Sequence, residues 1–446
     1  MIGAAMSAAT AAIPPPLARL LPAGTRVNER GRLEIGGCDT VELASEFGTP
    51  AYIVAEEDLR LRARTYLREL AARHRDFEVL FACKAFPCTA VCRVLAQEGL
   101  GCEVASGGEL QIALRGGFDP QRIYLHGNAK TEDELREALR TGVGHVVLDS
   151  RDELERLELL AARAGCRQRV LLRVTPDVEG ETHHAISTGQ ADSKFGFAPD
   201  QAREAIAALA RSPSLELVGL HCHIGSQLLE LGPFRAAVRR LAALGSFPLY
   251  DLGGGLGVAY TEEDEAPSIA DYVQALVESA RAELGVGTRL LVEPGRSLVA
   301  TSTVTLYTVQ SVKRNVSTWV AVDGGMSDNL RPMLYEARYQ ALVASRPLAR
   351  SQGRCRLVGK HCESGDVIVR EATLPAPVVG DVVVTPVTGG YGHALASNYN
   401  GALRPPVIFC RNGQARVVVR RETYADLLAR DTEEPARAMG SGGAGG

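Results

Sequence analysis

The sequence has no excess of positive charge, no long apolar run and no closely spaced cysteine pairs. A formal net charge of −4 argues against general electrostatic binding to nucleic acids or membranes. No apolar run reaches the roughly 18 residues that a membrane span needs. The ten cysteines include no CxxC pair, and the start MIGAAMSAATAAIPPP lacks the positive region of a signal peptide. These absences predict a cytoplasmic protein without disulfides and without nucleic-acid or membrane partners.

What is present predicts a barrel of alternating strands and helices. The 446 residues favour two domains over one core. Eight β-rich runs lie in the first two thirds with helical patterns between them, and the first five start 21 to 24 residues apart. The runs are FEVLFAC (77–83), GCEVAS (101–106), RIYLHG (122–127), HVVLDS (145–150), RVLLRV (169–174), ELVGLHCH (216–223), LYDLGG (249–254) and RLLVEPG (289–295). Near-continuous apolar strands between amphipathic helices are typical of a parallel (β/α)8 TIM barrel.

After about residue 297 the pattern changes to β-rich runs without long helices between them. TWVAVDGG, DVVVTPV and PVIFCRNGQARVVVRR are examples, and Asn412-Gly413 is a strong hairpin signal. We therefore predict a second, antiparallel β-sheet or β-barrel domain. The expected boundaries are a disordered lead over 1–24, an N-terminal hairpin over 25–47 that joins the β domain, the barrel over 48–296, the β domain over 297–430 and a flexible tail over 431–446.

Charged residues stand at the ends of the first and last barrel strands. Lys84 follows the first strand and Glu293 follows the eighth, and strand ends of a barrel meet at the mouth where active sites lie. A lysine can form a Schiff base with pyridoxal 5'-phosphate, and a carboxylate can keep its pyridine nitrogen protonated. A semi-buried mouth would leave the amine partly neutral. The alternatives are a strand-capping surface lysine and a structural glutamate paired with an arginine.

Glycines follow the seventh and eighth strands. They are Gly253, Gly254 and Gly255 after the seventh, and Gly295 with Arg296 after the eighth. Barrel phosphate sites are often built from these two loops, whose backbone N–H groups point at the anion. The pattern predicts the phosphate site of the cofactor, with a tight glycine turn as the alternative.

His221-Cys222-His223 ends the sixth strand and is followed by Ser226. Two histidines without a carboxylate or further cysteine spacing make a poor metal site, so we predict no metal. A histidine stacked on the cofactor ring, with Ser226 near the phosphate, suits this position better. A satisfied core histidine is the alternative, above all for His221.

Three residues of the second domain could act on a substrate. Arg331 and Tyr335 offer a guanidinium and a phenol for a carboxylate. Cys362 lies in a polar turn between two strands, and its thiol, with an ordinary pKa of about 8.5, could donate a proton. A buried small hydrophobic residue is the alternative for Cys362.

A series of motifs resembles the diaminopimelate decarboxylase family, one of the barrel-type (fold-type III) pyridoxal phosphate decarboxylases. The motifs are FACKAF, GLHCHIGSQ, DLGGGLG, EPGRSLVA, DGGMSDNLRPMLY, GKHCESGD and YGHALASNYN, in the family's order, and the resemblance runs from about residue 25 to 430. HAISTGQADSKFGF (184–197) and RRETYADLL (420–428) also look like the family. Phe81 and Phe86 depart from it, because many members have Tyr and Asn there.

The resemblance implies decarboxylation of meso-2,6-diaminopimelate to L-lysine, the last step of lysine biosynthesis. It implies Lys84 as the cofactor lysine, His223 as the ring-stacking residue, Glu293 as the pyridinium partner, and Gly253, Gly254, Gly255, Gly295 and Arg296 at the phosphate. It further implies Arg296, Arg331 and Tyr335 as substrate contacts, Tyr391 as a contact of cofactor and substrate, Cys362 as the proton donor and Glu363 as the partner of the distal ammonium. Cys362 and Glu363 of this family enter the neighbouring subunit's site, which implies a homodimer with shared sites.

Other functions stay open at this point. They are a decarboxylase for ornithine, arginine or carboxynorspermidine, a racemase, and a catalytically silent homologue. A simple diamine precursor has no distal carboxylate, so it would leave Arg331 without a partner. A racemase would have no use for Glu363, and a silent homologue should lack Lys84 or Cys362, both of which are present.

Overall fold

The first described elements of the chain pack against the β-sheet of the second domain and are not disordered. A computed structural model describes residues 12–178, 193–285 and 287–432. It begins with α1 (Pro15–Ala18), β1 (Arg26–Val27), β2 (Leu33–Ile35), β3 (Cys38–Asp39) and α2 (Thr40–Phe47), and β1 to β3 form a small antiparallel sheet. Leu17, Leu20 and Leu21 are buried. The predicted disordered lead over 1–24 is therefore wrong for its described part, since these leucines lie in the core.

A closed barrel of eight parallel strands confirms the predicted fold. After β4 (Ala51–Ala55) and α3 (Glu56–Ala71), its strands are β5 (Phe77–Ala82), β6 (Gly101–Val104), β7 (Ile123–Leu125), β8 (His145–Leu148), β9 (Gln168–Arg173), β10 (Leu215–His221), β11 (Leu249–Asp251) and β12 (Arg289–Val292). Pairing of β12 with β5 closes the barrel. The helices between them are α4 (Thr89–Gln97), α5 (Gly107–Gly116), α6 (Glu132–Thr141), α7 (Arg151–Ala164), α8 (Pro199–Leu209), α9 (Gly232–Ala242) and α10 (Ile269–Glu283).

Successive side chains along each barrel strand point alternately into the barrel and towards the surrounding helices. Leu80 of β5 belongs to a cluster with Leu171 of β9 and Leu291 of β12, while Val79 and Phe81 pack in the larger core that includes residues of the helices. Helix ends are marked by the sequence, as in α6, where Thr131 and Glu134 form a capping box. The carboxyl ends of all eight strands therefore meet at one mouth.

The rest of the chain forms a mixed, mostly antiparallel sheet. It follows α11 (Arg296–Val299) and comprises β13 (Thr303–Arg314), β14 (Thr318–Val322), β15 (Leu342–Val343), β16 (Arg354–Val358), β17 (Val367–Thr373), β18 (Val382–Thr385), β19 (Val407–Arg411) and β20 (Gln414–Val419), with α12 (Arg331–Leu334) and α13 (Tyr424–Leu428) beside it. The predicted hairpin at Asn412-Gly413 joins β19 to β20. Two pairs, β14 with β16 and β4 with β19, are parallel.

The expected boundary at residue 48 is wrong, because β4 does not belong to the barrel. This strand pairs with β13 on one side and with β19 on the other. Its sequence AYIVA has the same apolar character as a barrel strand, so only the pairing distinguishes the two. The sheet therefore takes strands from both sides of the barrel segment.

Some predictions fall on residues outside the described ranges. Residues 184–192 of the motif HAISTGQADSKFGF and residues 433–446 of the expected tail are among them. Within the described ranges, no helix has both the length and the apolar character needed to cross a membrane.

Candidate active site

The first barrel strand brings a lysine to the mouth. Lys84 lies in the 3₁₀ turn Cys83–Ala85 directly after β5, and its Nζ is 2.8 Å from Oε1 of Glu103 in β6. Burial lowers the pKa of the amine, but Glu103, Tyr391 and Glu293 together outweigh burial and raise the pKa of Lys84 above its usual value, with Glu103 contributing the largest part of the increase. The expectation of a partly neutral amine is therefore wrong here, since the neighbouring carboxylate favours the ammonium.

Glu293, directly after β12, lies between two imidazoles. Its Oε1 is 2.8 Å from Nε2 of His126, and its Oε2 is 3.3 Å from Nε2 of His221. Burial lowers the pKa of His221 to about 3, so this ring is neutral and can donate its N–H. Burial opposes a charged carboxylate, but the two histidines lower the pKa of Glu293 well below its usual value. The glutamate is thus paired with histidines rather than with an arginine. His221 is a buried core histidine, as in the alternative, but only its Nε2 is hydrogen-bonded, and its Nδ1 has no partner among the described residues.

Asp251 ends β11 and orders the glycine loop behind it. Its Oδ1 accepts a hydrogen bond from the Gly253 N–H at 2.9 Å, and the Gly254 N–H donates to Nδ1 of His223 at 3.3 Å. A Cβ on Gly254 would lie only 2.1 Å from the carbonyl oxygen of Glu293. Glycine is therefore required for the loops after β10, β11 and β12 to pack this closely.

Two further glycines bring neighbouring loops together. A Cβ on Gly255 would lie 2.4 Å from the carbonyl oxygen of Gly225, which precedes Ser226. A Cβ on Gly295 would lie 3.0 Å from the Cβ of Ala85, in the turn that carries Lys84. The predicted phosphate residues therefore border both the sixth-strand loop and the lysine turn.

Arg296 is a buried guanidinium with neutral partners. Its Nη2 donates to Oγ of Ser226 at 2.8 Å, and its Nη1 donates to the hydroxyl of Tyr260 at 2.6 Å. Its Nε has no hydrogen-bond partner. In the described parts of the chain no carboxylate forms an ion pair with it. Because a buried charge needs a counter-charge, Arg296 and Ser226 suit a phosphate.

Tyr391 connects the second sheet to the barrel mouth. Its backbone N–H donates to the carbonyl of Ala85 at 2.8 Å, and its ring centroid is 4.9 Å from Cζ of Arg296. Its φ of 66° lies in the left-handed region, which is uncommon for a residue with a side chain. Nearby, Phe86 stacks on His393 with ring centroids 5.0 Å apart. The departure at Phe86 therefore replaces an amide by a ring that fastens the lysine turn to the loop of Tyr391.

Arg331 begins α12 and is held by aromatic residues. It is only 3% exposed, and its Nη1 donates to the hydroxyl of Tyr339 at 2.5 Å. Its Cζ lies 4.4 Å from the ring centroid of Tyr260. Tyr335, the phenol named from the sequence, is half-buried four residues before Tyr339. No carboxylate among the described residues forms an ion pair with Arg331, and its Nε has no hydrogen-bond partner.

Cys362 and Glu363 lie on the surface, in the turn between β16 and β17. The backbone N–H of Cys362 donates to Oδ1 of Asn400 at 2.9 Å, and the hydroxyl of Tyr399 is 3.5 Å from Oε2 of Glu363. Both contacts are with the loop around residue 400. The alternative of a buried small hydrophobic residue is wrong for Cys362, because the residue is exposed.

The donor set fits pyridoxal phosphate. The mouth offers an amine for an aldehyde at Lys84, an ionised carboxylate for a ring nitrogen at Glu293, and a neutral imidazole at His223, whose pKa burial lowers well below its usual value. Arg296 and Ser226 supply donors for a phosphate, and the Nε of Arg296 is a buried donor still without a partner. The residues expected from the sequence at the cofactor thus have the right chemistry.

Several residues of this mouth were not predicted from the sequence. Glu103, His126, Asp251 and Tyr260 contact the expected residues directly, although none of them was named. The first three stand at or next to the ends of their strands, and that position was an available signal. One donor atom each of His126, His221, Asp251 and Glu293 lies within 4.8 Å of the others, a spacing that could also hold a metal ion.

Comparisons with known proteins agree with this chemistry. The family model "Pyridoxal-dependent decarboxylase, pyridoxal binding domain" matches residues 56–300. The chain is 46% identical over 425 residues to the diaminopimelate decarboxylase of Actinosynnema pretiosum subsp. auranticum, covering 92% of this chain and 95% of the relative. It is also similar to diaminopimelate decarboxylase from M. jannaschii in co-complex with L-lysine, with a TM-score of 0.86, 33% identity, and coverage of 93% of this chain and 99% of the other. The Helicobacter pylori enzyme complexed with L-lysine has a TM-score of 0.81 at 32% identity, covering 87% of this chain and 98% of the other.

Proposed function

Because the chain belongs to the diaminopimelate decarboxylase family, we propose a role for each of its own residues in that family's reaction. The chain is a pyridoxal 5'-phosphate-dependent carboxy-lyase that converts meso-2,6-diaminopimelate to L-lysine and CO2. The assignment of individual residues, the sharing of sites between two subunits and the setting in the cytoplasm are proposals.

The burial of Arg331 without an ion-pair partner is the main support for the residue assignment. Arg331 is 3% exposed, its guanidinium contacts the phenols Tyr339 and Tyr260, and no carboxylate in the described ranges forms an ion pair with it. Burial of an uncompensated charge is costly, so such a residue is expected to take its anion from a ligand. A distal carboxylate of diaminopimelate provides this anion, whereas ornithine or arginine does not carry a second carboxylate. This difference favours the two-ended substrate over those of the other basic amino-acid decarboxylases.

At the cofactor end, each of the chain's groups holds one part of the ring. We assign Lys84 to the aldehyde, His223 to the ring face, and Gly253, Gly254, Gly255, Gly295, Arg296 and Ser226 to the phosphate. Once bound, pyridoxal phosphate supplies an electron-accepting ring for the pair released when the carboxylate leaves as CO2. Glu293, kept ionised by His126 and His221, holds a proton on the pyridine nitrogen, and this proton increases the electron demand of the ring.

The same Glu293 cluster argues for the ring nitrogen rather than a metal as its ligand. Burial, together with the charge of Glu293, raises the pKa of Asp251 well above its usual value. A carboxyl held neutral in this way is a weak metal ligand, because metals bind the deprotonated form. The contacts of the two imidazoles with Glu293 explain the spacing of three of the four groups, and Asp251 is held by the hydrogen bond from the Gly253 N–H.

At the substrate end, opposite charges recognise the far amino acid group. We assign Arg331, with Arg296 and Tyr335, to the distal carboxylate, Glu363 to the distal ammonium, and Tyr391 to both cofactor and substrate. Cys362 delivers a proton to the carbon that has lost CO2. Lys84 would hold the aldehyde group of the cofactor in the resting enzyme, and its amine would be available as a base beside the substrate.

We further propose that Cys362 and Glu363 act in the site of a second copy of the chain. Both are exposed, and outside their own turn they contact Asn400 and Tyr399. A proton donor on the surface of its own subunit can act only if another barrel mouth meets it.

The ten cysteines are all free thiols, which suits a reducing cytoplasm.

Release of CO2 by the purified holoenzyme tests the substrate assignment. meso-Diaminopimelate, L-lysine, L-ornithine and L-arginine are compared, with product identified chromatographically. We expect release from diaminopimelate alone, with formation of lysine. Release from ornithine or arginine at a similar rate would overturn the role of Arg331, and an intact visible band without any release would point to a silent homologue.

Mixing two inactive variants tests the shared sites. Lys84→Ala and Cys362→Ala proteins are unfolded together, refolded and assayed. If the sites are shared, hybrid dimers contain one intact site, and about a quarter of the parent activity should return. If Cys362 serves its own barrel, no activity returns.

A further inference from the structure

Two buried tyrosines connect the guanidiniums of Arg296 and Arg331. Tyr260 lies in the loop between β11 and α10, and Tyr339 lies between α12 and β15. Their exposures are 5% and 4%, and their rings meet edge to face with centroids 5.1 Å apart. The sequence separates these tyrosines by almost eighty positions, and no motif links them.

Each tyrosine makes a different contact with Arg331. Tyr260 offers its ring face, 4.4 Å from Cζ of Arg331, while its hydroxyl accepts a hydrogen bond from Nη1 of Arg296. Tyr339 offers its hydroxyl, which accepts from Nη1 of Arg331 at 2.5 Å. Burial raises the pKa of Tyr339 to about 12 although Arg331 opposes this, so the phenol is neutral near pH 7. Neither tyrosine therefore cancels the positive charge of the arginine that it holds.

We propose that Tyr260 and Tyr339 are positioning residues that fix Arg331 for a ligand carboxylate and thereby determine selectivity for a substrate with an amino acid group at its far end. The inference deepens the proposed function and rests on the assignment of Arg331. Tyr339 fixes one edge of the guanidinium, Tyr260 fixes one of its faces, and the unpartnered Nε remains for a ligand. Uncharged tyrosine side chains suit this purpose, because a protein carboxylate in their place would compete with the substrate carboxylate for Arg331.

A pair of ligands that differ by one carboxylate isolates this effect. L-Lysine, the product, keeps the carboxylate of the far end, and cadaverine is the same diamine without it. Calorimetric titration of the holoenzyme with each gives a preference, the ratio of the two dissociation constants. We expect the parent to prefer L-lysine, and Arg331→Met to lose the preference. If Arg331→Met retains it, the assignment of Arg331 fails, whatever the tyrosines do.

The two tyrosines should respond to different substitutions, because Tyr339 acts through its hydroxyl and Tyr260 through its ring. Tyr339→Phe removes the hydroxyl that holds Arg331 and should reduce the preference about tenfold through weaker L-lysine binding, with cadaverine unchanged. Tyr260→Phe keeps the ring face and should retain most of the preference, whereas Tyr260→Leu removes the face and should reduce it at least about tenfold. In turnover of diaminopimelate, Tyr339→Phe should raise KM more than it lowers kcat.

Tyr250→Phe is the matched control, since its hydroxyl donates to the carbonyl of Gly245 and not to either arginine. Melting temperature and the visible cofactor band are recorded for every variant to exclude misfolding. The two tyrosines do not position Arg331 if Tyr339→Phe weakens the binding of L-lysine and of cadaverine equally. The same conclusion follows if Tyr260→Phe and Tyr260→Leu have the same preference for L-lysine. Normal preference in all three variants, with a lost preference in Arg331→Met, would overturn this inference while leaving the proposed function intact.

Discussion

Glu103 should slow the capture of cofactor by Lys84. Its Oε1 lies 2.8 Å from the lysine Nζ, and its other oxygen is buried without a hydrogen-bond partner. Because this carboxylate is the main group that raises the pKa of Lys84, Glu103→Gln should lower that pKa. Opposite charges at this separation shift a pKa by about 1–3 units, and a lysine side chain that is 36% exposed belongs at the lower end.

The rate of cofactor binding measures this shift. The nucleophile is the neutral amine, so its fraction near pH 7.5 rises about tenfold for each unit by which the pKa falls. We expect Glu103→Gln protein stripped of cofactor to gain the visible absorbance band at least about tenfold faster than the parent, with the rate–pH profile moved to lower pH.

Glu109→Gln is the matched control on the neighbouring helix. Oε2 of Glu109 accepts a hydrogen bond from the Ala105 N–H at 2.8 Å, and Glu109 forms no ion pair with Lys84. The rate of cofactor binding to Glu109→Gln protein should therefore stay close to that of the parent. The reasoning is refuted if Glu103→Gln captures cofactor at the parent's rate with an unchanged pH profile.

Three further outcomes are expected. Burial raises the pKa of Asp328 from its usual 3.8 to about 7, so its stabilising contribution is complete below about pH 4 and is lost as pH rises towards 7. Asp328→Asn should remove this pH dependence, which lowers the parent's free energy of unfolding by up to about 4 kcal/mol between pH 4 and pH 8. Denaturant unfolding measures it, and a difference in unfolding free energy between variant and parent that is the same at both pH values would contradict the prediction. Cys362→Ala should keep the cofactor absorbance band yet lose most turnover, and normal CO2 release would remove its role as proton donor. His126→Phe should shift the pH dependence of the cofactor spectrum, because Glu293 loses the nearer of its two imidazole contacts. A spectrum identical to the parent's across the pH range would exclude that role.

The barrel could be predicted from the sequence because each of its strands is buried on both sides. The apolar runs therefore stand out against amphipathic helices, and all eight predicted strands form. The residues at their ends could be placed at one mouth for the same reason. The assignment of β4 failed because AYIVA is equally apolar in a barrel and in the centre of another sheet, and only its partners differ.

Contacts between distant loops account for most of what the sequence did not reveal. Glu103 and His126 could have been found by asking which polar groups end strands two and three. Tyr260 and Tyr339 could not, because their contact with Arg331 depends on how the loop after β11 meets the loop after α12. The exposed position of Cys362 is likewise a property of packing, since the turn CESGD is compatible with either a core or a surface.

The place of β4 has a consequence for synthesis of the chain. This strand leaves the ribosome before the barrel, yet one of its neighbours, β13, begins at Thr303 and the other, β19, at Val407. The barrel segment must therefore emerge while both edges of β4 still lack their hydrogen-bonded partners. Unpaired strand edges of this kind aggregate easily, and pairing across so many residues is slow. A truncation that removes β19 and β20 would thus leave one edge of β4 unpaired, so the folding of β4 depends on strands more than 350 residues further along the chain.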